Sequence, residues 1–193
     1  MRSKLFIFIF PTLVILMFSF CERKSGRKSV TNRSKTEKEL TVNKKEELKF
    51  TNCFCNNGLC DYCVLVIAIT DGDTFKGLTK EKEEIRFRIY GIDAPEKKQA
   101  FGTKSKEYLS NLIFGEIVGV KVDSKDRYSR SIVWVFTSDG KDVSSEMLKA
   151  GMAWHYKKYD DSVIYSKLEI EARNSKNGLW REDTPIEPWN FRN

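Results

Sequence analysis

The sequence predicts an α+β protein, mainly β, in which a five-stranded barrel carries three helices. Short runs rich in Val, Ile and Phe recur between residues 62 and 136, separated by Gly, Asp and Pro turn signals, and three further segments repeat their apolar residues at helical spacing. The first run, Tyr62–Ile69, ends at the Asp71-Gly72 turn, and Thr74 to Leu78 pairs back across it. Ile85 to Tyr90 alternates, so Ile85, Phe87 and Ile89 face one way and Arg86 and Arg88 the other. Val118 to Val122 and Ile132 to Phe136 complete the set. Five such strands with glycine at the bends suit a curled antiparallel Greek-key barrel of the OB type.

The helices follow from the same patterning. Thr103 to Phe114 places Tyr108, Leu109, Leu112 and Ile113 on one face. Ser144 to Ala150 is short, with Ser144 as N-cap and Gly151 as stop. Ser162 to Asn177 sets Ile164, Leu168 and Ala172 four apart, and Gly178 ends it.

Ahead of the barrel the composition changes twice. Arg2 and Lys4 precede a largely apolar run of 16 residues from Leu5 to Phe20, broken by Pro11 and closed by Cys21. That length is short for a spanning helix, which needs about 20 residues, and it suits the core of a signal peptide. A cysteine closing the run resembles a bacterial lipoprotein signal, so residues 1–21 are expected to direct export with Cys21 as the lipidation candidate. Phe18 and Phe20 are bulkier than the small residues usual there, so ordinary secretion or an uncleaved anchor stays open. The expected location is therefore the cell envelope, through a lipid anchor, or the medium. Residues 22–49 hold 15 charged side chains among 28 and read as a disordered tether, too poor in apolar surface to offset the entropy of ordering.

The net charge of +7 belongs to these appendages. Removing Arg2, Lys4 and the 10 basic and 5 acidic residues of 22–49 from totals of 34 and 27 leaves 22 of each sign in residues 50–193. A neutral domain binds nucleic acid only through local arrangement of its charges. Between tether and barrel, residues 50–63 form a cysteine-rich staple containing Cys53, Cys55, Cys60 and Cys63. Four thiols in 11 residues suit two disulfides in an exported chain, or a zinc site.

The chemistry-bearing residues lie in residues 62–193. Asp71-Gly-Asp-Thr74 is followed by Arg88-Ile-Tyr-Gly-Ile-Asp-Ala-Pro-Glu96 and Asp126-Arg-Tyr-Ser-Arg130. Asp73, Asp93 and Glu96 are the hard oxygen ligands that Ca²⁺ or Mg²⁺ selects. Arg88 and Arg130 supply planar forks that grip phosphate through two parallel hydrogen bonds. Singly, each has a plain alternative: Asp flanking Gly suits any tight turn, and arginine on a strand's polar face is usually solvated. His155, the one histidine, argues against nucleases that need paired histidines.

Together with Gly151-Met-Ala-Trp154 and Gly178-Leu-Trp180, these motifs resemble the staphylococcal nuclease family in order and spacing over about residues 62–182. The resemblance implies an OB-fold barrel with three helices and a Ca²⁺-dependent nuclease. Its products would be 3′-phosphate and 5′-hydroxyl ends cut from DNA and RNA. It further implies Asp73, Asp93 and the Ala94 backbone carbonyl as calcium ligands, with Asp71 acting indirectly. Glu96 would activate or orient water, and Arg88 and Arg130 would hold the scissile phosphate with Tyr128 beside them. Tyr156 or Tyr159 would stack a base. Ser129 stands where the family has glycine, so a left-handed backbone there would strain it.

The partners expected are nucleic acid and a membrane surface, with no protein partner and a monomeric chain. Two rivals of another class are a nucleic-acid-binding OB module without catalysis and an envelope lipoprotein adhesin. A lost acid or arginine would favour the first, and none is lost; the second leaves the motif residues unexplained.

Overall fold

The computed structural model describes Phe50, Cys53–Cys55 and residues 58–192. The leader, Cys21 and the tether through residue 49 lie outside the described residues, as does the side chain of Cys55. A two-residue hairpin, β1 (Phe54–Cys55) with β2 (Gly58–Leu59), precedes the barrel. A disulfide joins Cys53 to Cys63, tying this hairpin to the first barrel strand, and Cys60 is also disulfide-bonded.

The barrel strands are β3 (Tyr62–Ile69), β4 (Thr74–Leu78), β5 (Glu84–Ile89), β7 (Ile117–Lys125) and β8 (Ser131–Phe136). They close in the order β3-β4-β5-β8-β7. Alternation does the work foreseen from sequence: Phe87 and Ile89 of β5 are buried while Arg86 is exposed. Phe75 and Phe87 stack inside with ring centroids 5.1 Å apart, packed among Val64, Val66, Val120 and Val135. One pairing departs from the antiparallel expectation. β5 and β8 run parallel, with Arg88 opposite Ile132. A parallel pair needs a long crossover, and residues 90–130 supply it, so sequence alternation alone does not reveal its direction.

Helix α1 (Gly102–Ile113) buries Leu109 and Ile113 in the barrel core. Helix α2 (Val143–Lys149) is capped by Asp142, whose carboxylate accepts from the Ser144 and Ser145 amides. Ser144 is therefore not the cap: it is buried in the first turn, and its hydroxyl donates to the Tyr90 carbonyl at 2.8 Å. Aspartate, with two acceptor oxygens, satisfies two end amides where a serine satisfies one. Gly151 ends this segment with φ +63°.

Helix α3 (Val163–Asn174) stops before the expected Asn177, with Lys176 left-handed and Gly178 opening the 3₁₀ turn Gly178–Arg181. Its buried face carries Tyr165, Glu169 and Ala172, whereas Ile164 is exposed. Of the expected stripe, Ala172 is buried and Leu168 packs against the core; only Ile164 is turned out, its place on the buried face taken by Tyr165 and by Glu169 with its ion pairs. Two elements carry no sequence signal long enough to detect: the ladder of β6 (Ile92–Asp93) with β9 (Trp154–His155), and a fourth helix, α4 (Pro188–Phe191). No helix among the described residues is long and apolar enough to cross a membrane.

Candidate active site

The site forms where the β3–β4 turn, the end of β5 and the loop after β6 meet. Asp73 heads β4 directly opposite the last residues of β5, and its carbonyl accepts from the Ile89 amide at 2.8 Å. Asp93 is held by the β6–β9 ladder, where it lies opposite Trp154. Two glycines permit this closeness. A Cβ on Gly72 would strike Ala94 and the Ser105 side chain, and one on Gly102 would overlap the Glu96 carbonyl.

Arg88 links the acids. One terminal nitrogen lies 2.9 Å from Asp93 Oδ1 and 3.2 Å from Asp73 Oδ2, and the other donates to the Ile89 carbonyl at 2.9 Å. Asp73 Oδ2 also accepts the Ala94 amide at 2.7 Å, and its Oδ1 accepts the Thr74 hydroxyl at 3.1 Å. Asp71 Oδ1 accepts from the Asp73 amide at 3.2 Å.

Arg130 reaches the same cluster from the β7–β8 loop, donating to Thr74 Oγ1 at 3.2 Å. Asp126 aims it. One carboxylate oxygen accepts the Tyr128 and Arg130 amides, and the other accepts Arg130 Nε at 2.7 Å. Burial pushes the Asp126 carboxyl up, but these bonds from Arg130 and Tyr128 outweigh it and hold the group below its ordinary value. Ser129 has φ +60°, the left-handed conformation that a serine there would find strained. The loop keeps it because Asp126 fixes the backbone on both sides of Ser129. Tyr128 is exposed, with both Arg127 and Arg130 near its ring.

The electrostatics are those of a crowded acid cluster. Burial, and then the neighbouring Asp73 charge, push the Asp71 carboxyl up to about 7. Burial also raises Asp93, against the pull of Arg192 and Arg88. Arg192 is a site residue that the sequence reading missed. Its guanidinium donates to both oxygens of Asp93, at 3.2 and 2.7 Å, and to Glu96 Oε1 at 2.7 Å. Thr74 is the other missed member, bridging Arg130 to Asp73. No motif marks Arg192; only the fold brings it 99 residues back to Asp93.

The structure thus gathers Asp71, Asp73, Asp93, Arg88 and Arg130 directly, and Glu96 through Arg192. Ala94 joins by its amide. The tyrosines lie to one side. Tyr156 and Tyr159 meet edge to face at 4.9 Å, and the Tyr156 ring is stacked on Trp189 at 5.2 Å with planes 7° apart. A cavity of about 240 Å³ lies beyond Glu96, lined by Pro95, Phe101, Trp154, Ile186 and Phe191 among others. His155 takes no part: it is buried, bonded to Asp160 at 2.6 Å and to Ser166 Oγ at 3.1 Å.

The family model described as staphylococcal nuclease homologue matches residues 86–182. A Haemophilus influenzae protein described as an uncharacterized endonuclease is 43% identical over 127 residues, covering 66% of this chain and 71% of that one. An Escherichia coli protein of the same description is 39% identical over 127 residues, covering 66% and 82%. The micrococcal nuclease of Shigella flexneri is 36% identical over 138 residues, covering 66% and 78%. With its five-stranded barrel and this matched span, the chain belongs to the staphylococcal nuclease family.

Proposed function

We propose that this protein is a calcium-dependent nuclease that hydrolyses phosphodiester bonds in DNA and RNA to leave 3′-phosphate and 5′-hydroxyl ends. The observation that carries the reading is the convergence of Asp71, Asp73, Asp93, Arg88 and Arg130 at one barrel end, in a chain of this family. Among the described residues, no three acidic, His or Cys side chains converge tightly enough to chelate an ion as they stand. Guanidinium groups of Arg88 and Arg192 are bonded between them. The donor chemistry nevertheless fits a hard cation: buried carboxylates of like charge, with Asp71 pushed up to about 7, gain from a multivalent positive charge. Asp73, Asp93 and the Ala94 carbonyl would hold it, with Asp71 acting indirectly. Bound there, Ca²⁺ supplies Lewis-acid polarisation of a phosphate oxygen and offsets the charge that builds in the transition state.

The chain's own groups do the rest. Arg88 and Arg130 grip the phosphate's non-bridging oxygens from two sides, with Asp126 and Thr74 keeping Arg130 in line. Glu96, on an exposed rim, takes a proton from water as the water oxygen attacks phosphorus. The bond from phosphorus to the 5′ oxygen breaks, and that oxygen is protonated from solvent. Tyr128 flanks the phosphate, and Tyr156 and Tyr159 offer rings to a base. Cleavage of DNA and RNA in Ca²⁺, its loss in chelator, and end-group labelling of the products test this. Binding without cleavage under all conditions would favour the inactive OB module.

Residues 1–21 support export, with Cys21 as the acylated residue and residues 22–49 as a cationic spacer of charge +5 against anionic lipid or DNA. Incorporation of labelled palmitate that Cys21→Ala abolishes tests the anchor.

A further inference from the structure

We infer that residues 183–192 are an internal competitor for the active site, in which Arg192 takes the place of the cation and Trp189 the place of a stacked base. The inference rests on the calcium reading above. Arg192 occupies both oxygens of Asp93 and one of Glu96, the lone pairs that an incoming cation needs, and its own positive charge repels that cation. Three residues earlier, Trp189 lies flat on Tyr156, covering the face on which a base would stack. One short segment therefore fills both binding positions at once.

The segment is built to let go. Its helix, α4, is four residues long, too short to persist by itself. Ile186 and Phe191 remain exposed, and of the four helix residues only Pro188 is buried. Its other ties are the Trp189 ring, edge to face on Trp154 at 5.8 Å, and the Gln99 amide, which donates to the Ile186 carbonyl while Gln99 Oε1 accepts the Glu96 amide. Release thus exposes the acid cluster and the Tyr156 face together. Cation and nucleic acid, each favouring the released form, must then strengthen each other's binding.

Calorimetric titration of the full chain with CaCl₂, without nucleic acid, reads the competition apart from catalysis. If the segment is seated nine-tenths of the time, Arg192→Ala and a chain ending at Glu187 should each bind Ca²⁺ about tenfold tighter than the parent. In the unaltered protein, Ca²⁺ should speed hydrogen exchange at the amides of Asn190, Phe191 and Arg192, which donate to Glu187 and Pro188 carbonyls. Equal or weaker Ca²⁺ affinity in the folded variants, with unchanged exchange in the parent, overturns the inference alone. Absence of Ca²⁺ binding in every protein overturns the calcium reading and the inference with it.

Discussion

Two charged clusters flank the short β6–β9 ladder, and they are built differently. On the β9 side, Glu169 accepts from the His155 amide, from Lys157 at 2.6 Å and from Arg173 at 3.2 Å, while Asp160 accepts from or shares a proton with His155 at 2.6 Å. Two carboxylates meet two cations and a histidine ring, and Arg173 lies over Trp154 and Trp180. On the β6 side, among the described residues, Asp71, Asp73, Asp93 and Glu96 meet the cations Arg88 and Arg192, while Arg130 is tied to Asp126. Burial first, and the Asp73 charge beside it, push the Asp71 and Asp93 carboxyls up, against the pull of Arg88 on both and of Arg192 on Asp93. A balanced cluster holds a helix in place; an unbalanced one at a barrel rim is what the proposed cation binding draws on. Burial of charge by itself does not distinguish the two. The count of partners does.

Arg88→Lys is the strongest challenge to this distinction. It keeps the charge and loses the two-pronged guanidinium geometry proposed to grip the phosphate, so kcat should fall by ~10² to 10³, the effect of losing one fixed donor to a developing charge. Turnover equal to the parent's would mean that charge alone suffices there. Glu96→Gln should lower kcat by about 10² while nucleic-acid affinity, measured in a binding assay, stays near the parent value. Retained turnover would remove Glu96 from the proton transfer.

On the balanced side the expected readout changes from rate to stability. Glu169→Gln should cost about 2 kcal/mol in urea unfolding, the scale of hydrogen bonds to a charged group, with kcat unchanged. A loss of activity without a loss of stability would place this cluster in the catalytic machinery. The smallest effect is expected at the loop that carries Arg130. Ser129→Gly removes left-handed strain but loosens the unfolded chain, so a net gain of at most about 1 kcal/mol is expected. A measured loss there would show that the serine makes a contact worth more than its strain.

The legible part of the molecule was the part with local causes. Alternation in Ile85, Phe87 and Ile89 announced β5, and Leu109 with Ile113 announced α1. Asp73, Arg88, Asp93 and Glu96 were legible because they fall within 24 residues of one another, in turns and strand ends with recognisable chemistry. The parts that stayed hidden turn on which of several candidate residues takes a role once the chain is packed. Ile164 shares helical spacing with Leu168 and Ala172, yet Tyr165 and Glu169 take the buried face, with Lys157 and Arg173 beside Glu169. Asp142 outcompeted Ser144 as helix cap, and Ser144 found the Tyr90 carbonyl instead.

By itself the sequence determined the strand and helix periods, the turn positions, the family and the acid and arginine set, because side-chain periodicity and turn chemistry act over a few residues. Only the tertiary structure decided that β5 and β8 run parallel, that Glu169 is buried and that Arg192 seats on Asp93 and Glu96. Two of these join residues far apart in the chain: 44 residues separate Arg88 from Ile132, which it faces on β8, and 99 separate Asp93 from Arg192. A pattern read along the chain records what neighbours prefer, whereas the cost of burying a charge is settled by whichever partner the closed barrel brings to it.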